Sequence, residues 1–167
     1  RQFVSVVKDI EAKTGVEYIR MEIGEPGLPA EMIGIEAEHE ALLNGVGSKY
    51  PLITGIEPLI KEASRFVKAF INLDIPPVCF VPTVGSMQGA FATFMALTQM
   101  REDRDTILFI DPGFPVQKSQ CRVQGVRYES FDVIDYRGEK LEAKLEEILS
   151  SGRISGMIYS NPNNPSW

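Results

Sequence analysis

The chain has 167 residues, 44% hydrophobic and 24% charged, enough apolar material for an ordinary core, which excludes disorder and collagen-like repetition. Seventeen basic residues against 23 acidic ones leave a net charge of -6, without the clustered Lys and Arg that a nucleic-acid backbone demands, so a small molecule or another protein is the expected partner. No window is apolar over the length of a membrane span and the start "RQFVSVVKDIEAKTG" has no signal-peptide core, which makes no membrane and a cytoplasmic location the expectation.

In chain order, Phe3, Val6, Val7 and Ile10 have helical spacing, with Gly15 as a stop. "YIRMEI" alternates and predicts a short strand that breaks at Gly24, Pro26, Gly27 and Pro29. Helices are predicted at about 31–43, closed by Asn44-Gly45, and at about 56–73, where Leu59, Ala63, Phe66, Val67 and Phe70 make one stripe and Pro58 falls in the first turn. Between them, the glycine-bounded "GVGSKYPLITG" carries Tyr50.

From Pro77 the pattern becomes strand and helix in alternation. "VCFVP", "TILFID", "RYESFDV" and "ISGMIYS" read as four strands, separated by "SMQGAFATFMALTQM", a piece over about 116–123, and "KLEAKLEEILSSG" as helices. Helices of this length between strands predict right-handed crossovers and an α/β fold, a mainly parallel sheet with helices on both faces. Residues 1–76 are expected to form an N-terminal segment of helices and loops, and 77–167 the sheet-bearing part.

His39, in the charged "EAEHEALL", has no Cys or His neighbour and reads as a solvated helix residue. Cys79 and Cys121 lie in apolar or mixed segments without CxxC spacing, so they read as two buried thiols; neither a disulfide framework nor a metal site is expected.

Ligands of open parallel sheets bind at the carboxyl ends of the strands. In "PTVGSMQG" a glycine leads into a helix start, whose free amides suit a phosphate, although a plain Ser N-cap explains the residues equally well. Neither G-x-x-x-x-G-K-[ST] nor G-x-G-x-x-G is present, so a nucleotide is not indicated. In "IDPGFP", Phe114 stands where a ring stacks on a flat ligand or packs on the next helix. In "SNPNNPSW", Asn161, Asn163 and Asn164 offer amides fixed by Pro162 and Pro165, or ordinary turn chemistry. A phosphate cradle, a ring and an amide at one sheet edge describe a site for a phosphorylated aromatic cofactor.

Taken together, "IGEPGLP", "KYPLITGIEPLIKEA", "PTVGSMQGAF", "IDPGFPV" and "NPNNPS" resemble the pyridoxal-phosphate-dependent aminotransferases of class I and II, fold type I, over nearly the whole chain. The resemblance implies that the amides of Ser86 and Met87 hold the phosphate of pyridoxal 5'-phosphate, that Phe114 stacks on its ring and that Asn164 bonds its phenolic oxygen. Tyr50 matches the tyrosine that reaches the phosphate in the neighbouring subunit of a homodimer, and Gly24 a loop near the substrate carboxylate. It further implies an amino acid and a 2-oxo acid as substrates in amino-acid metabolism, residues 1–76 as part of a small domain and dimer arm, and 77–167 as the first part of the cofactor-binding large domain, truncated after a fourth strand. No residue here stands in the Schiff-base lysine motif, so no catalytic residue is assigned; an N-terminal fragment, inactive alone, is expected. Ser166-Trp167 departs from the usual Thr-Gly, and "GEPGLP" lacks the acidic and aromatic residues often present after its Pro. Two other readings are a carbon-sulfur lyase or decarboxylase of the same fold, and a non-catalytic phosphate-ligand-binding or interaction module.

Overall fold

In the computed structural model, which describes residues 2–21, 24 and 27–164, the chain divides into two compact units, 1–51 and 52–167. In the first, the apolar spacing near the start forms α1 (Gln2–Thr14), and Gly15 ends it by taking φ +69°. Thr14 Oγ1 donates to the Ile10 carbonyl at 2.8 Å and accepts from the Val16 amide at 3.3 Å, closing the last turn. The alternating residues that follow form no strand over 18–21, because a strand exists only by pairing; the Tyr18 amide instead donates to Glu11 Oε1 at 3.1 Å. Glu22 and Ile23 of that predicted strand, and Glu25 and Pro26 of the motif after it, lie outside the described residues. Helix α2 (Met32–Leu43) is capped by Asn44 and turned by Gly45 at φ +77°, and it carries His39 exposed.

In the second unit Gly55 takes φ +89°, where a Cβ would lie 2.5 Å from the Pro82 ring, so only glycine fits. Helix α3 (Glu57–Ile71) has Pro58 in its first turn and ends on Asn72 in the left-handed region. Phe66 and Phe70, one turn apart, stack at 4.4 Å. "VCFVP" does not form a strand: residues 77–79 make a single 3-10 turn and 80–82 are unpaired. No strand among the described residues pairs with it, and Cys79, read as buried, is exposed.

Helix α4 (Gly85–Gln99) then precedes β1 (Thr106–Asp111), α5 (Pro115–Gln124), β2 (Arg127–Asp132), α6 (Glu139–Leu149) and β3 (Ile154–Ile158). The described sheet has three strands rather than four, in the order β2-β1-β3. All are parallel: Ile107 pairs with Tyr128 on one side and Gly156 on the other. The two crossovers run in opposite directions from β1 and β2, so right-handed connections put α5 and α6 on opposite faces.

The core sits around β1. Ile107 and Phe109 face Phe94 of α4 and Cys121 of α5, all at most 4% exposed, and Phe94 and Tyr128 each meet the Phe109 ring edge-on at 5.8 and 5.7 Å. Leu108 points to the other face and is also fully buried, so the central strand is covered on both sides. A Cβ on Gly156 would stand 2.6 Å from Leu97 Cδ1, which is how closely α4 lies on β3. Burial pushes the Cys121 thiol above its ordinary range.

Candidate functional site

The start of α4 is built from main chain. Val84 is its N-cap and makes no side-chain cap bond; Ser86 stands inside the first turn, which sets aside the plain Ser N-cap. Gly85 takes φ +73° with nothing within 4 Å of where a Cβ would be. Thr83 Oγ1 donates to the Gly85 carbonyl at 3.0 Å and the Val84 amide donates to Gln88 Oε1 at 2.6 Å, fixing the entry to the helix. First-turn amides have no partner within a helix, and the helix dipole adds positive potential there. Ser86 and Met87 therefore stand in the first turn, where N–H groups have no intrahelical partner, next to the open space at Gly85.

The turn after β1 holds Phe114, the N-cap of α5, a residue 54% exposed. It is not buried against the helix. At the base of this turn, Asp111 and Lys118 form an ion pair, with side chains 28% and 21% exposed. The turn after β3 meets it directly: Asn163 Nδ2 donates to the Pro112 carbonyl at 2.7 Å. Asn163 is thus committed to holding two turns together, while its neighbour Asn164 is exposed. The peptides before Pro112 and Pro162 are cis. Pro165, Ser166 and Trp167 lie outside the described residues.

Two further bonds bring α4 to the same edge. Gln120 Nε2 donates to the Met87 carbonyl at 2.9 Å, and Gln124 Nε2 to the Phe91 carbonyl at 2.8 Å. The partners advance by four residues in each helix, so α4 and α5 run parallel. Since α5 starts at the carboxyl end of β1, α4 starts there too. The structure accordingly brings Ser86, Met87, Phe114 and Asn164 to one edge of the sheet. Tyr50, fully exposed at 103%, and Gly24, with nothing within 4 Å of a built Cβ, belong to the first unit.

Two paired amides beside open space, an exposed ring and an exposed carboxamide fit a group with a phosphate, a flat ring and a polar ring substituent. Among the described residues no group of three or more His, Cys, Asp or Glu side chains is placed to hold a metal, and no helix is long and apolar enough to cross a membrane. Reading the sequence missed the Asp111 to Lys118 pair and the two glutamine ties. The first had a signal, an Asp ending a strand with a Lys in the opening turns of the next helix; the ties had none, because their acceptors are carbonyls.

Comparison with known proteins gives this edge a family. The LL-diaminopimelate aminotransferase of Natranaerobius thermophilus is 30% identical over 160 residues, covering 93% of this chain and 40% of that protein. The S-alkyl-thiohydroximate lyase of Arabidopsis thaliana is 29% identical over 150 residues, covering 85% of this chain and 31% of its own length. The solved aspartate aminotransferase of Thermotoga maritima superposes with a TM-score of 0.78 at 23% identity, over 98% of this chain and 43% of that one, a likeness of fold. The chain thus spans well under half the length of these relatives. The sequence profile described as aminotransferase class I and II matches residues 17–166, and the chain belongs to that family.

Proposed function

We propose that this chain supplies part of the cofactor site of a pyridoxal-phosphate-dependent aminotransferase that moves an amino group between an amino acid and a 2-oxo acid. The observation that carries the reading is the convergence of the α4 start, Phe114 and Asn164 at one sheet edge, in a chain of this family. The cofactor, when bound, supplies the electron sink for amino transfer. The chain's own share is positional: the Ser86 and Met87 amides hold the phosphate, the Phe114 ring lies against the pyridine and Asn164 donates to the phenolic oxygen. Tyr50 is assigned to the phosphate of a neighbouring subunit in a homodimer and Gly24 to the substrate-carboxylate loop. The Schiff-base lysine is assigned to none of the lysines in this chain. Residues 1–76 are taken as small-domain and dimer-arm sequence and 77–167 as cofactor-domain sequence, in a cytoplasmic protein.

A second reading, a carbon-sulfur lyase on the same site, is favoured by the similarity to the Arabidopsis lyase. One experiment separates the two. The full-length protein, loaded with pyridoxal 5'-phosphate, is given amino acids with and without a 2-oxo acid, and products are followed. Turnover that requires the 2-oxo acid and yields a new amino acid supports the aminotransferase; thiol release without it supports the lyase. Phe114→Ala is expected to weaken cofactor retention about tenfold. Unchanged retention would remove Phe114 from the site.

A further inference from the structure

We infer that Asp111 and Lys118 are positioning residues that set the Phe114 ring through a closed ion pair, an inference that rests on the cofactor reading above. Asp111 ends β1 and Lys118 is the fourth residue of α5, so the pair spans the whole turn that carries Phe114. Phe114 is 54% exposed, so packing alone does not hold its ring. The backbone from which it projects is extended, at φ -74° and ψ 114°, as the N-cap of α5. The Phe114 carbonyl accepts from the Gln117 amide at 3.3 Å as the helix opens, and two side-chain fastenings hold the rest of the turn: the ion pair at its base, and the Asn163 bond to the Pro112 carbonyl at its flank.

The pair differs from the surface ion pairs of this chain. Lys61 with Glu57, and Arg65 with Glu62, join neighbouring turns of one helix with side chains 62–73% exposed, where a pair contributes little. Asp111 and Lys118 are mostly buried and join a strand end to a helix. Lys118 Nζ also lies 5.7 Å from the centre of the Phe109 ring, which confines the lysine against the core. Removing either partner frees the base of the turn and leaves the other charge half-buried. The ring then samples directions that do not stack.

The test uses full-length protein carrying Asp111→Asn, Lys118→Met, both changes, or Lys118→Arg, each with and without Phe114→Ala. The readouts are the dissociation constant of pyridoxal 5'-phosphate and the circular dichroism that the bound chromophore acquires, which reports how the ring is held. Each single change is expected to weaken cofactor binding by about 3- to 30-fold and reduce the induced signal, with the double change no worse than one. Lys118→Arg should restore both. In the Phe114→Ala background the pair changes should have no further effect on the induced signal, an outcome that a purely structural role would not give.

Parent-like binding and dichroism in Asp111→Asn would overturn the inference, as would equal losses with and without Phe114. If Lys118→Met does not fold, Asp111→Asn, which keeps the side-chain volume, decides the matter. A parent protein that takes up no pyridoxal 5'-phosphate overturns the functional reading and this inference together. If the parent binds and Phe114→Ala weakens it while Asp111→Asn does not, only the inference falls.

Discussion

Residues 2–51 and 52–164 differ in what holds them. Every buried side chain among the described residues lies in the second region: Phe94, the run Thr106 to Phe109, Cys121 and Ile154. The first has helices but no buried residue among those described, and Ile33 and Leu43 of α2 are 79% and 77% exposed. Helical pattern and helical stability are therefore separate matters. Periodicity and Gly or Asn stops suffice to define α1 and α2, but most helical stability in proteins comes from packing an apolar face, and only the second region contains its own.

The sharpest test of that contrast is a matched pair of truncations. Phe94→Ala is expected to cost about 3–5 kcal/mol in urea unfolding, whereas Ile35→Ala, on α2, should fall near the neutral range of about 0.5 kcal/mol for surface changes. Equal losses would mean that the first region has a core of its own. Gly55→Ala comes next: it places a Cβ against a proline ring at a positive φ, and about 1–3 kcal/mol of lost stability is expected. Asn163→Ala removes the bond to the Pro112 carbonyl and should cost about 1 kcal/mol, read as a lower unfolding midpoint.

The smallest effect concerns the thiols. Cys79 is exposed and should react at once with a thiol reagent, while Cys121, buried, should react only on unfolding. The folded Cys121 keeps its proton to higher pH than the unfolded one. Its contribution is thus fully present below about pH 8.5 and declines as pH rises beyond that, because the unfolded chain ionises first. Unfolding midpoints measured from pH 7 to 10, compared with Cys121→Ala, check the sign.

Much of the second region was legible in the sequence because its signals are local. Alternation of strand and helix from 106 onwards needs no distant partner to be read, and Phe114 and Asn164 stand out by their prolines and glycine. "VCFVP" shows where such reading fails. Five apolar residues have a strand's composition, but a strand requires a neighbour, and none of the described residues provides one. The reading of Cys79 as buried fails in the same stretch. At the site, residue types could be recognised whereas fastenings could not: nothing in "NPNN" says that Asn163 is spent on Pro112 and that Asn164 is left to face outwards.

The glutamine ties carry a consequence for how this protein tolerates change. Gln120 and Gln124 reach across to the carbonyls of Met87 and Phe91, not to their side chains. Positions 87 and 91 can accept many replacements without loosening the bracket, while 120 and 124 cannot. In the proposed site, what Ser86 and Met87 would lend is likewise an amide that every residue but proline possesses. Divergent residues along the opening of α4 are therefore poor evidence that a related protein has lost this bracket; a replaced glutamine on α5 is better evidence.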